Sequence, residues 1–339
     1  MAIIFSKNIM AITGFCAAML FASPSAAAPA QADIDAYRDL IKQDLRLATA
    51  GYRLAATNSP YCRIKERNPG WVIHDIAQYP DAEIAKAAFG FRAPIHVAAV
   101  VQNGPADQAG VEPDDGFSEM DNATIYWPAM PLGKTGYERM ASFKQLLHER
   151  LNEKAALPLR LSRAKATYST TLLPPLVCAS DFQIDTNKGI NAGADGKMVS
   201  VSLALMEFAK ENDELAAIVA HEFAHNMLQH RARLKSAKVK RGIAGQFGKS
   251  KDAVRATETE ADLLSVWLIG NAGYDINAAI NFLERFGNGP GKMLIPDRTH
   301  LSWKSRVEMM RQEAVRYSNA PKNQQGKATP PLLTEREAK

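Results

Sequence analysis

Five consecutive residues, His221-Glu222-Phe223-Ala224-His225, are the side chains of this sequence best suited to chemistry. Two histidines at i and i+4 project from the same face of a helix, one turn apart. That spacing lets two imidazoles bind one zinc ion. It also sets Glu222 beside the metal, where a carboxylate can take a proton from an attacking water. The residues leading in, Leu215-Ala216-Ala217-Ile218-Val219-Ala220, are apolar without a polar face, so the helix is buried on most sides. Burying two histidines and a glutamate there is costly unless something binds them.

A catalytic zinc takes three protein ligands and keeps one position open. Downstream lies Glu258-Thr259-Glu260-Ala261-Asp262, in a second helical pattern. Glu258 and Asp262 share a face at i, i+4. One can bind the metal while the other accepts a hydrogen bond from a ligating histidine. Glu260 is either a rival ligand or a solvated helix charge, and exposed glutamate is the common case. His230 lies about one and a half turns beyond the motif and reads as a structural or surface histidine. Two histidines and one carboxylate suit one Zn2+ per chain.

These residues need two helices brought face to face. The first runs from Asp213 to about Leu234, with Asn212 or Asp213 as N-cap and acidic residues in its first turn. A basic, glycine-containing linker follows to about Lys251. The second helix runs from about Val254 to Asn271 and stops near Gly273. Further helices are expected from Asn277 to Phe286 and, past the Gly289-Pro290-Gly291 loop, from Trp303 to Tyr317. Met198–Val201 is a short strand and a candidate edge for pairing with an extended substrate. Beyond Asn319 the chain is polar and reads as a disordered tail.

The N-terminal half has a different texture. Ile34, Tyr37, Leu40, Ile41 and Leu45 give a lead-in helix within Ala32–Ala55. Ile95–Val101 and Leu157–Leu161 are strand-like and Tyr137–Asn152 is helical. Residues 1–30 read as a secretory leader: Lys7 is its only charge, Ile9–Phe21 is apolar but too short to span a bilayer, and small residues allow cleavage after Ala27 or Ala30. Cys16 falls inside this discarded segment. No later stretch is long and apolar enough to cross a membrane, so the mature chain is expected to be soluble. Cys62 and Cys178 remain, and in an oxidising compartment such a pair often forms a disulfide, the alternative being two separate buried thiols. Neither has a partner at CxxC spacing, which argues against metal binding. The net charge of +5 is mild, and no nucleic-acid signature is present.

The combination of HEFAH with Glu258-x-x-Ala261-Asp262 resembles the gluzincin peptidases of the HtpX and CAAX-prenyl-protease type, which include BepA-like periplasmic proteins. Asn191-Ala192 before the strand, Asn212-Asp213-Glu214-Leu215, and His300 with Arg306 six residues on also match, although Leu301 replaces the usual proline. The resemblance covers about residues 183–318. It implies His221, His225 and Glu258 as zinc ligands, Glu222 as general base and Asp262 as their supporting carboxylate. It leaves His300 as either a latch on the open metal position or a loop histidine. Arg306 is left as support for the site, oxyanion stabiliser or salt-bridged helix residue.

Ile95–Asp115, with its Gly104-Pro105-Ala106 turn, Ala109-Gly110 and Val111-x-Pro113, resembles a PDZ domain. Asp114 stands where that fold usually has glycine, so an altered turn is expected. Phe89-Gly90-Phe91 matches the apolar-Gly-apolar carboxylate-binding loop, Ser142–Arg150 the helix beside the peptide groove, and Leu157–Arg163 the closing strand. The resemblance implies either capture of a protein C-terminus by β-augmentation or a packing module without a ligand.

The expected class is α+β: leader 1–30, lead-in helix 31–59, a PDZ-like β-rich domain 60–182, a mostly helical gluzincin metallopeptidase domain 183–318 with a short edge strand, and a tail 319–339. The expected activity is zinc-dependent hydrolysis of peptide bonds in envelope proteins, misfolded ones included, in a periplasm. The alternative is a periplasmic chaperone or assembly factor with a plugged metal site and PDZ-like peptide binding. A structural zinc site would close the metal with four Cys or His ligands, which this sequence does not offer.

Overall fold

The computed structural model describes residues 28–133, 136–186, 189–239, 248–289 and 301–337. Residues 1–27 of the expected leader and the candidate latch His300 lie outside the described residues.

In chain order the first half comprises α1 (Gln31–Thr57), β1 (Lys65–Arg67), β2 (Trp71–Asp75), α2 (Ala82–Phe89), β3 (Ile95–Val100), the one-turn α3 (Pro105–Gln108), β4 (Gly116–Met120), β5 (Ala123–Thr124), α4 (Glu138–Glu153), β6 (Leu157–Arg163) and β7 (Ala166–Leu172). An antiparallel sheet runs in the order β2-β3-β4-β6-β7, with β5 paired to β4. In β6, Leu157, Leu159 and Leu161 alternate inward and meet Phe143, Leu147 and Leu151 from one face of α4. Asp114 keeps the tight turn ahead of β4 by taking a positive φ of 68°, a region that Asp tolerates better than most residues. Asp115 beside it is fully buried and held by Arg163 at 2.8 Å through both carboxylate oxygens.

Phe89-Gly90-Phe91, expected as a carboxylate-binding loop, lies at the end of a helix. Gly90 is the left-handed C-cap of α2, with φ of 61°. Phe89 meets His74 edge-on and Phe91 lies tilted against it, in one apolar cluster with Ile34, Tyr37 and Ile41 of α1. Phe89 is buried and Phe91 half-buried. A cleft of about 390 Å³ lies between the strand β2, at the sheet's edge, and α4, lined by Gly70, Trp71, Val72, Lys144, Gln145 and His148 among others.

The second half comprises β8 (Leu176–Cys178), β9 (Asp181–Asp185), β10 (Ala192–Ala194), β11 (Met198–Ser202), α5 (Leu203–Phe208), α6 (Asn212–Met227), α7 (His230–Ser236), α8 (Gly248–Asn271), α9 (Ile276–Asn288), α10 (Trp303–Asn319) and α11 (Pro331–Glu337). β8 pairs with β1, and the expected disulfide joins Cys62 to Cys178 with Cα atoms 5.4 Å apart. β9 starts at Asp181 and pairs parallel to β11, so the expected domain boundary at 182/183 falls inside a strand of the second half. The sheet order is β10-β11-β9. Met198–Val201, read as an edge, is thus its central strand, and β10 and β9 are the edges. A parallel partner supplied from 17 residues upstream is invisible to local pattern.

α1 packs on α6, with Leu47, Leu54, Leu215 and Val219 in one apolar core that also takes in Leu264 and Leu268 of α8. Two expectations about the helices fail. The helix read through to Leu234 breaks at Gln229, whose φ is 52°; the apolar pattern continues through Leu228 and Leu234 and hides the break. The tail expected to be disordered is docked. Ala328 is fully buried, with its N–H and carbonyl both bonded at 2.9 Å to the Asn271 side chain, and Leu332 and Leu333 pack on the core. Its polar composition conceals how few residues are needed to anchor it. No helix among the described residues is long and apolar enough to cross a membrane.

Candidate metal centre

α6 opens with a capping box: Glu214 reaches back to the backbone N–H of Glu211. Arg285 of α9 grips Glu214 with contacts of 2.6 and 2.9 Å, anchoring that end. The helix then buries Leu215, Ala216, Ile218, Val219, Ala220, Phe223 and Ala224, which fixes its rotation. His221, Glu222 and His225 are left half-buried on the remaining face. Asn226 ties this helix to the sheet: its Oδ1 accepts from the Gly196 N–H at 2.8 Å, between β10 and β11, and its Nδ2 donates to Ser180 at 2.9 Å, just before β9.

Across from α6, α8 brings Glu258 to the two histidines. The Nε2 atoms of His221 and His225 are 3.3 Å apart. Glu258 Oε2 lies 3.4 Å from His221 Nε2, and Oε1 lies 3.7 Å from His225 Nε2. These three residues are the group among the described residues able to hold a metal ion. Tetrahedral zinc bonds of roughly 2.0–2.1 Å put adjacent ligand atoms about 3.3–3.4 Å apart. The His221–His225 and His221–Glu258 separations match that spacing, the His225–Glu258 contact, to the other carboxylate oxygen, is slightly longer, and nitrogen and carboxylate donors suit zinc. The side chains of His221, His225 and Glu258 stay 16–17% exposed, so the site faces solvent on one side.

The ring orientations are held from behind. His221 Nδ1 lies 2.9 Å from Asp262 Oδ1, a short contact off the ideal N–H axis. Arg306 of α10 takes both Asp262 oxygens, through Nε and Nη2, at 2.7 Å each. Burial opposes charge on Asp262, but Arg306 and His221 outweigh it and hold the carboxyl well below the usual carboxylate range. Burial likewise opposes charge on His221, while Asp262 and Glu258 prevail and raise it to about 10 in the metal-free site. A proton is therefore the natural competitor of a metal ion at this imidazole. Of the readings left open for Arg306, a salt-bridged helix residue is what the geometry shows: its Nε and Nη2 are directed at Asp262.

On the other side, His230 Nδ1 is 2.9 Å from His225 Nδ1, and its Nε2 is 2.8 Å from Glu260 Oε2. Arg233 donates to the same Glu260 oxygen at 2.7 Å. Burial holds His230 down near 4 despite Glu260 beside it. His230 is only 2% exposed, which corrects any reading of it as a surface residue, and Glu260 is a partnered carboxylate, not a solvated charge. Position alone could not show this, because the left-handed turn at Gln229 brings His230 round.

Residues 179–250 match the family model of peptidase family M48. The mitochondrial metalloendopeptidase OMA1 of Schizosaccharomyces pombe is 32% identical over 133 residues, which is 33% of this chain and 40% of that protein. The chain thus matches less than half the length of that relative. The PDZ domain of HtrA3, in a crystal structure with a phage-derived ligand, is 17% identical with a TM-score of 0.25, covering 34% of this chain and 90% of that domain. Glu258 lies beyond residues 179–250, on the helix α8 that brings it to the histidines. The stretch that carries both histidines of the triangle is similar to peptidase family M48.

Proposed function

We propose that this protein is an exported zinc endopeptidase, with His221, His225 and Glu258 holding the metal and Glu222 as general base. The observation that carries the reading is the cluster of His221, His225 and Glu258, whose ligand atoms lie within 4.8 Å of one another on a face open to solvent, with a glutamate next to the first histidine. Bound there, zinc supplies a Lewis acid beside the scissile carbonyl. Glu222 accepts the proton of the attacking water and returns it to the leaving amine, as a carboxylate at the mouth of a water-accessible site can. Asp262 and Arg306 keep His221 oriented with its Nε2 toward the metal. The edge strand β10, fixed to α6 through Asn226, is suited to pairing with an extended substrate.

The disulfide is the mark of an oxidising compartment and, with the leader, supports export, in a periplasm on the family resemblance. Envelope proteins, misfolded ones included, are the proposed substrates. The cleft between β2 and α4 supports a second reading, peptide capture by an assembly factor whose metal site is plugged by His300.

The deciding experiment measures zinc content and casein cleavage for the mature wild type and Glu222→Gln. One zinc in each with cleavage only by the wild type supports the peptidase. Zinc in both with cleavage by neither favours the plugged assembly factor, and no zinc in either removes the site assignment.

A further inference from the structure

Two carboxylate–arginine pairs back the metal triangle, and only the one behind His221 follows from the motif spacing. The other runs from His225 through His230 to Glu260 and Arg233, with contacts of 2.9, 2.8 and 2.7 Å. Its geometry allows one proton arrangement that leaves His225 ready for a metal. Nε2 of His225 faces the triangle, so it must carry the lone pair and Nδ1 must carry the proton. That proton needs an acceptor, and the atom facing it is His230 Nδ1. His230 then carries its own proton on Nε2, where Glu260 accepts it. The reverse arrangement would have His230 Nδ1 donating to His225. It would move the His225 proton to Nε2 and block coordination, while leaving Glu260 facing an unprotonated nitrogen. A carboxylate at the end of the chain therefore selects the coordinating tautomer at its start.

The backbone is shaped for this. On a straight helix, residue 230 would sit about 140° around from residue 225. The left-handed Gln229, with φ of 52°, breaks the helix and brings the buried His230 ring back onto His225, with centroids 4.8 Å apart. A non-glycine residue at positive φ is an uncommon conformation.

We infer that His230 and Glu260 are positioning residues for the metal site, fixing the tautomer and ring orientation of His225 through a two-step hydrogen-bond relay. The inference rests on the zinc reading of the triangle. It is tested on the full mature chain by zinc competition against a chromophoric chelator and by 15N NMR of the His225 ring in the zinc-free protein. The variants are His230→Phe, His230→Gln and Glu260→Ala. Wild type should show Nδ1-protonated His225. His230→Phe, which keeps a ring but neither nitrogen, should weaken zinc binding tenfold to a hundredfold, the usual effect of losing a partner behind a ligand. Glu260→Ala should weaken it severalfold and populate the other tautomer. His230→Gln, able to accept at one end and donate at the other, should recover part of the loss. Because Glu260 is 22% exposed, its variant should keep the fold even if His230→Phe does not. Zinc affinity in Glu260→Ala equal to wild type, or an Nε2-protonated His225 in the wild type, overturns the relay and leaves the triangle standing. Absence of zinc binding by the wild type would remove the underlying reading as well.

Discussion

Replacing Arg306 with methionine should cost about 4 kcal/mol of unfolding free energy at pH 7, and the figure can be reached in two ways. Asp262 is 2% exposed and Arg306 6%, and they share two hydrogen bonds of 2.7 Å. Breaking a buried pair by removing one partner strands the other charge, at roughly 3–5 kcal/mol. The stranded carboxyl can escape by taking a proton, at about 1.4 kcal/mol per pH unit between its ordinary pKa of about 3.9 and pH 7, or about 4 kcal/mol. The sign of the pH dependence follows. The folded-state pKa of Asp262 is depressed, so its contribution is present above the unfolded pKa and is lost as pH falls through the folded value. In the wild type that loss falls below about pH 4, whereas in the variant the stranded carboxyl, with its pKa raised, sheds its penalty as it takes up a proton, so the part of the gap due to the stranded charge should shrink between pH 7 and pH 4. Urea unfolding followed by circular dichroism, with a chelator present so that metal binding adds no linkage, gives the numbers. Asp262→Leu combined with Arg306→Met should lose less than the two single variants summed. A single-variant loss under about 1 kcal/mol, or strict additivity, would show that the pair is not coupled and refute the reasoning.

The disulfide closes a loop of 116 residues, so Cys62→Ser with Cys178→Ser should lose about 5 kcal/mol in the chain-entropy estimate, and wild type under reductant should match it in a denaturant titration. Burial pushes His74 down to about 3 and His96 to about 4. Both folded values lie below the ordinary histidine pKa, so protonation favours the unfolded chain and stability falls as pH drops below about 6.5. His74→Gln should remove up to about 2.7 kcal/mol of the loss between pH 6.5 and 4.5, read from urea midpoints; equal losses in variant and wild type would contradict the assignment.

The sequence by itself determined the helix under the metal triangle. The i, i+4 histidines inside an apolar run define both the helix and the face it leaves free, and the same rule sets Glu258 and Asp262 on one face, where the family resemblance implies which is the ligand and which its supporting carboxylate. It also singled out Cys62 and Cys178 as the candidate pair, though only the structure shows them bridged, and determined the lead-in helix, whose apolar residues recur at helical spacing. Tertiary structure decided the rest. Whether Met198–Val201 is edge or centre depends on β9, a parallel partner that no local pattern specifies. Phe89 and Phe91 fit an apolar-Gly-apolar loop as readily as a helix C-cap, and packing against α1 chose the cap. His230 and Glu260 reach each other only because one left-handed residue turns the chain after α6 and because α8 lies alongside. Periodicity records which face of an element is buried. It does not record which partner buries that face, and the partner decides whether a histidine rests in a wall or stands behind a metal ligand.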